Sequence, residues 1–510
     1  MGFFMKKIGF ILISQCFIFS PILAATKLNV LLNDSGNNPY SDSAPSSVRS
    51  AIESAVFGQL LSLQNNMIVP SLLEDAYYDS KSNEYVLTIK KNIYFQNKRQ
   101  VTIEDLEFSL LRLFFTNEKS FGKAALMNIE GLDEIQKQGF TKFKSGIVSG
   151  VRIKDDYTLT IKLMTPDPDF LYILTDTAFS IAPMEEFQDN YMDWKSYPIG
   201  AGPYSIVSPG FKNGVVELKK YDKSLIKAPD SVKFYTKKIK DIHYDLSFMK
   251  LENTKQNRYQ KYYSELPDSV FGLTFTNVNP LGNSLEFRKF VQAALDREAL
   301  QKLASGFSAA FENYPNTNWG IKKLSNPYNP ELAQNLFQSL PKNLRDKEWN
   351  VSVYNSGSEI KGNKKLFIDE IKRQLGLYGF KMTYFPITEK FLPKKYAEET
   401  PFDISFFQID HFDTLFKFAR LLNNGPDQFV KPLYDEKLEA LYKNAFNATT
   451  KESKLKNIET LSEYVHEKAY WIPLLDAKTV YYYDPNTIDK IGKKGDDLNV
   501  FSASRVEMKE

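Results

Sequence analysis

The spacing of apolar positions changes several times along the chain, and each change predicts an element. Residues 27–32 (Lys-Leu-Asn-Val-Leu-Leu) read as a strand running into a polar loop from Asn33 to Ser47. Val48, Ile52, Ala55, Val56, Leu60 and Leu63 then recur at helical spacing, which predicts a helix over 48–63. Residues 84–95 alternate like a half-buried strand. Thr102 caps the next helix, with Asp105 in capping-box spacing and Leu106, Leu110 and Leu113 as its stripe. Alternation returns over 151–163 around a turn at Asp155-Asp156, and Pro166 stops it.

A Gly/Pro knot, Gly200-Ala201-Gly202-Pro203-Tyr204, precedes a strand at 204–207, and Lys212-Asn213-Gly214 turns it into a second strand at 215–220. Phe271 to Thr276 is a further apolar strand. Asn283 with Glu286 opens a helix carrying Phe287, Val291, Ala294 and Leu303. Later the order is strand 350–354, a helix with Leu366, Ile368, Ile371 and Leu375, strand 380–385 and strand 403–409. Helices at 435–446 and 451–468, the latter with Leu455, Ile458, Leu461 and Val465, precede Ile472-Pro473-Leu474. The C-terminal half reads as α/β, while the first half mixes hairpins with helices. No repeat of 20–50 residues and no low-complexity linker appears, so the domains are joined by short crossings.

Length and composition narrow the picture. A chain of 510 residues is too long for one core and implies about two to four domains. Lys+Arg of 65 against Asp+Glu of 62 leaves +3, which is no footprint for nucleic acid or an anionic membrane. One Cys and three His exclude disulfide scaffolds, Cys-ligated zinc and iron–sulfur clusters. The 39 Phe and 29 Tyr favour large packed or contact surfaces.

The opening segment reads as an address. Lys6 and Lys7 form a positive start, Ile8 to Leu23 an apolar stretch broken by Pro21, and Ala24 and Ala25 a cleavage site, so residues 1–25 are expected to be a secretory signal peptide. Met5 is an alternative start. A spanning anchor is the rival reading, but the stretch is short for one. Lipid attachment at Cys16 is a second rival, disfavoured by Gln15 before it and by the apolar run continuing past it. Cleavage after Ala24 or Ala25 would leave a chain without Cys, at 63 − 62 = +1, that relies on core burial.

Catalytic motifs are thin. Gly306-Phe307-Ser308-Ala309-Ala310 lacks the closing Gly of a nucleophile elbow, and His466-Glu467 lacks the second His of a zincin helix. Gly200-Ala201-Gly202 is followed by Pro203 and a hairpin rather than a helix, and reads as a tight inter-lobe turn instead of a dinucleotide loop. Asp167 and Asp169, flanked by Pro166 and Pro168, read either as an acid/base pair or as caps of a turn into 170–174, and the Pro context favours the turn. Asp410-His411-Phe412-Asp413 follows an apolar strand; one His and two carboxylates make a weak metal site, and an Asp capping the next element is the plainer alternative. No cofactor is expected.

Several segments, taken in order, resemble the family 5 extracellular solute-binding proteins of bacterial ABC importers, the oligopeptide- and dipeptide-binding type. These are Val56-Phe57-Gly58-Gln59-Leu60-Leu61, Val69-Pro70-Ser71-Leu72-Leu73, Tyr85 to Phe95, Val101 to Leu106, Ile199-Gly200-Ala201-Gly202-Pro203-Tyr204, Ala294-Leu295-Asp296-Arg297-Glu298-Ala299-Leu300, Pro327 to Ala333 and Trp471-Ile472-Pro473-Leu474. Departures are visible. Phe95-Gln96-Asn97-Lys98 replaces the family's "F-x-DG" turn, and Ala201 stands for Thr in "GTGPY". Phe407 stands for the Trp of "gW-x-aDY", which keeps its Asp at Asp410 and has His411 at the Tyr position.

The resemblance implies an α/β fold of the two-lobed, hinged type II periplasmic-binding-protein kind, with an additional domain on the first lobe. Residues 26–50, 176–272 and 478–510 would form lobe one, 51–175 the extra domain and 273–477 lobe two. It further implies a non-enzymatic, exported, periplasmic monomer that captures a small peptide between closing lobes and delivers it to an ABC permease at the inner membrane. Ligand contacts would come from Asp410, Phe407, His411, Phe412 and Asn277. In peptide-binding relatives the matching Asp receives the peptide ammonium, which suits a buried cation that needs an anionic acceptor. Arg373 and Arg420 are nearby candidates for the peptide carboxylate. Metal complexes, haem, sugars and cell-wall peptides are rival ligands within the family, and an exported enzyme or scaffold is the rival from outside it.

Overall fold

The structure, a computed structural model, describes residues 26–32, 46–64, 67–116, 123, 126–165, 167, 169–251, 259–265, 267–276, 280–313, 324–355, 359–387, 402–410, 433, 435–492 and 501–509. Three main apolar cores organise them. The first forms around a seven-stranded sheet in which Lys27–Leu31 lies between Leu246–Ser247 and Ser231–Tyr235. The hairpin Tyr204–Lys212 and Val215–Lys220 extends one side, while Val480–Tyr483 and Gln260–Tyr263 extend the other. Leu28, Val30, Phe234, Leu246, Tyr481 and Phe501 are buried together there, so both ends of the chain build this lobe.

The second core surrounds a six-stranded sheet made of Phe307–Ala309, Trp471–Ala477, Ser269–Phe275, Ile404–Asp410, Glu348–Tyr354 and Lys381–Ile387, in that spatial order. Its centre is aromatic: Phe287 stacks on Trp349 at 4.0 Å, with Phe380, Phe290 and Phe337 around them. The third core, from Leu60 to Tyr191, lies against a four-stranded antiparallel sheet of Leu73–Asp79, Glu84–Ile89, Thr158–Ile161 and Val151–Ile153.

Local chemistry explains where the elements end. Asp105 Oδ2 accepts from the Thr102 N–H at 2.8 Å in a complete capping box, so the helix Ile103–Leu111 starts where the spacing predicts. The periodic run over 48–63 is split, however. The helix Ser46–Val56 stops before Gly58, whose φ of +73° turns the chain, and Leu61–Gln64 pairs as a strand with Met67–Pro70. Its apolar positions serve two cores: Ile52 and Val56 face the first, Leu60 and Leu61 the third. Leu303 likewise falls outside the helix Leu285–Ala294, because Asp296 caps a separate short helix, Arg297–Gln301.

The departure at Phe95-Gln96-Asn97-Lys98 keeps a left-handed turn, since Lys98 takes φ +72° where the family carries Gly. Gln96 gives this turn a structural role. Its amide nitrogen reaches the carbonyls of Val56 at 2.6 Å, Tyr204 at 3.0 Å and Gly202 at 3.2 Å, while its oxygen accepts from the Gly200 N–H at 2.5 Å. The glycine knot therefore clamps the extra domain to the first lobe, and is not the turn between the two large lobes that the sequence suggests.

His466 provides a pH probe of the second core. Its Nδ1 faces the Gln292 amide at 3.4 Å, and burial, together with the charges of Lys289 and Arg297, pushes the imidazole pKa down to about 4. The unfolded chain therefore binds a proton at this residue near pH 6.5 and the folded chain only near pH 4, so stability is lost as pH falls through that window. His466→Gln should lose less of its urea midpoint than the parent protein between pH 7 and pH 4.5; equal losses would show that the ring is not held neutral.

Candidate functional site

The chain passes between the first and second sheets at 264–268 and at 478–479. Because all of Ser269–Phe275 belongs to the second sheet, the first passage precedes the expected boundary at 272. The two passages are bonded to each other. Ser264 N–H donates to Thr479 O, Asp268 N–H to Ala477 O, and Thr479 N–H to the buried Asp268 carboxylate, each at 2.9 Å. Lys478 Nζ adds a bond to Glu265 O at 2.8 Å.

Register fixes what faces this hinge. In the first sheet Leu246 lies opposite Tyr483 and Ser247 opposite Tyr482, so Leu246–Ser247 runs toward Val480 and the hinge. Lys27–Leu31 and Ser231–Tyr235 are parallel to that direction, and their carboxyl ends point the same way. In the second sheet Ser269, beside the hinge, lies opposite both Ala477 and Asp410. Ile404–Asp410 therefore ends at the hinge side, as do its parallel neighbours Glu348–Tyr354 and Lys381–Ile387. The carboxyl ends of the parallel strands in both sheets meet at one opening, the place where open α/β sheets bind ligands.

Asp410 occupies the last position of its strand at this opening. Phe407 sits three residues earlier, half-buried opposite Gly272, with its ring centroid 5.1 Å from that of Trp471. Gly272 is required there: a Cβ would come within 2.5 Å of both the Trp471 ring and the Ile472 carbonyl. His411, Phe412 and Asn277 lie outside the described residues, as does Arg420. Thr276, the neighbour of Asn277, donates its N–H to Asp403 O at 3.0 Å, at the end of its strand away from the hinge. Arg373 lies in the last turn of the helix Gly362–Gly376 and is taken by Glu370 through two 2.7 Å bonds. The strand before this helix ends on the hinge side and the strand after it starts on the other, so the last turn, with Arg373, lies away from the opening.

Other titratable groups fall elsewhere. His243 Nε2 stands 3.2 Å from Asp484 and 3.6 Å from Asp245, whose carboxyl burial pushes upward, but both carboxylates lie at the end of the first sheet remote from the hinge. Asp167 and Asp169 do form a turn, since Asp167 Oδ1 accepts from the Asp169 N–H at 3.0 Å. Their carboxylates also converge on Lys454 of the second lobe, at 2.6 and 2.9 Å. Lys454 belongs to no motif readable in the sequence. The available signal was its place at 454 in the series 458, 461, 465, which puts a cation on the apolar stripe of its helix.

The comparisons agree with this architecture. The sequence profile of the bacterial extracellular solute-binding proteins, family 5 (middle region), matches residues 67–426. No curated protein sequence matches the chain. Among solved structures, the substrate-binding protein CtaP of Listeria monocytogenes superposes with a TM-score of 0.76 at 17% identity, over 95% of this chain and 100% of that one. OppA of Haemophilus influenzae, in complex with RPPGFSPFR, gives 0.71 at 14% identity over 94% and 99%. NikZ of Campylobacter jejuni, in complex with Ni(L-His), gives 0.71 at 16% identity over 94% and 99%. Among the described residues, no helix is long and apolar enough to cross a membrane. A profile match over well over half of the sequence, joined to a two-lobed fold shared from end to end, shows that the chain belongs to the bacterial extracellular solute-binding proteins of family 5.

Proposed function

We propose that the protein is an exported, periplasmic monomer that captures small peptides between its lobes and delivers them to an ABC-type permease, without chemistry of its own. The observation that carries this reading is the convergence of strand carboxyl ends from both sheets on one paired hinge, with Asp410 at the rim. An extended peptide suits such an opening, because its backbone pairs with exposed strand ends while its side chains enter pockets. Closing the lobes on it removes water from both. The peptide held by OppA supports this ligand class, and the nickel–histidine complex held by NikZ keeps a small chelate as the second reading. In the peptide reading Asp410 receives the α-ammonium, with Phe407, His411 and Phe412 as further contacts.

Native mass spectrometry of the protein recovered from its exported compartment tests this directly. A ladder of peptide masses is expected; a single non-peptide mass would leave the lobed capture mechanism and replace the ligand. Asp410→Ala should then weaken free-amine peptides by about 10- to 150-fold, the worth of a charge-assisted bond of about 1.5–3 kcal/mol, and N-acetylated peptides far less. Calorimetric titration showing equal losses for both would remove the ammonium from Asp410.

A further inference from the structure

Lys454 is misplaced for a lysine. It stands in the first turn of the helix Lys451–Lys468, where the helix dipole opposes a cation, and its side chain is only 7% exposed. Two carboxylates explain its position, and both come from the extra domain, 285 or more residues earlier in the chain. Lys454 Nζ lies 2.6 Å from Asp167 Oδ1 and 2.9 Å from Asp169 Oδ2, with those side chains 13% and 18% exposed. Burial alone would lower the ammonium pKa, and the two carboxylates overcome it and hold it above its ordinary value.

Each half of this contact is held by bonds within its own domain. On the extra domain, the Tyr85 hydroxyl donates to Asp167 O, Phe170 N–H donates to the same carbonyl at 3.1 Å, and the Phe170 ring is buried against Tyr85 at 4.9 Å. On the second lobe, Thr450 and Ser453 cap the helix reciprocally and Ile458, one turn beyond Lys454, is fully buried. These anchors bond within their own domains, so separation of the lobes would break the three-residue contact and leave both supports standing.

We propose that Lys454, Asp167 and Asp169 form an ionic latch between the extra domain and the second lobe that exists only when the lobes are closed, and so sets ligand affinity without touching ligand. Removing one partner of a buried pair inside a rigid core strands a charge with no escape. Across a hinge the stranded charge regains water when the lobes part, so the loss appears as a shift from closed toward open. An affinity measured for a state that is fractionally populated falls with that fraction. The latch rests on the capture reading only in requiring that the lobes close.

The test needs no ligand. Spin labels at Lys144→Cys in the extra domain and Glu331→Cys in the second lobe, in the full chain with Cys16→Ser, report the inter-lobe distance. Lys454→Met should reduce the short-distance population at least threefold, and Lys454→Arg should restore most of it. Asp167→Asn with Asp169→Asn should reproduce the loss from the opposite side, and adding Lys454→Met to that pair should lose nothing more. Unchanged distances in Lys454→Met, or losses that simply add, would overturn the latch. A protein found without bound peptide would count against the peptide reading and leave this result unaffected.

Discussion

Arg297→Ala is expected to lower the unfolding free energy of the second lobe by roughly 3–5 kcal/mol, read as a drop in urea midpoint with little change in slope. The side chain is 1% exposed and, among the described residues, pairs with no carboxylate; Nε donates to Pro473 O at 2.7 Å and Nη1 to Leu295 O at 2.9 Å. Pro473 lies where the strand Trp471–Ala477 slips by one residue against Phe271/Gly272, so its carbonyl sits at a break in the ladder. Burial pushes the guanidinium downward in proton affinity, and only the charge of Asp296 opposes this. Deleting the side chain would strand buried carbonyls and leave a cavity at once. Arg297→Lys should recover part of the loss, because one ammonium can reach Pro473 O but cannot fork to Leu295 as well. A midpoint unchanged by Arg297→Ala would mean that those carbonyls find other donors.

Gly202→Val is expected to cost about 2–4 kcal/mol at the join between the extra domain and the first lobe. A Cβ on Gly202 would meet the Val56 carbonyl carbon and oxygen at 2.6 Å and Ala55 O at 2.7 Å, all of them backbone. Neither strand nor helix can yield cheaply there, because Gly202 N–H donates to Val56 O at 2.8 Å and Gln96 donates to the same oxygen. Gly139 has nothing within 4 Å of its Cβ position but takes φ +68°, so Gly139→Asn should cost no more than about 1 kcal/mol, the penalty of the left-handed backbone alone, by the same unfolding measurement. Comparable losses at both positions would show that backbone conformation, and not crowding, decides.

How much of this was legible in the sequence depends on whether one residue type answered to one constraint. Thr102 with Asp105 and the turn at Asn213-Gly214 could be read because cap and turn each act locally, whereas the passage between Ala477 and Val480 follows only from the family resemblance. The run over 48–63 misled because its apolar residues satisfy helical period while belonging to two cores separated by Gly58. The start of the second lobe was placed late because Val270 and Phe271 are apolar in either sheet, and only pairing decides between them. From its residues Asp410 reads only as a cap or a weak metal ligand after an apolar strand; its ligand role comes from the family resemblance, because nothing in its spacing marks a strand end at a hinge. Lys454 stayed hidden because a single lysine at the start of a helix reads as solvent-facing until the partner domain is placed against it.

The first lobe is made of residues from both ends of the chain. Lys27–Leu31 is flanked by Leu246–Ser247, which pairs in turn with Val480–Tyr483, and Ser54 Oγ donates to Phe501 O across 447 positions of sequence. As the exported chain emerges, the extra domain and the second lobe can each complete a core while the first lobe still lacks its closing strand. The strand Val480–Tyr483 must emerge before the earliest strand is fully walled in. Loop closure over such a span is slow compared with forming the local hairpins. The order in which parts become resistant to protease should therefore run from the middle of the sequence outward, with the two termini maturing together and last.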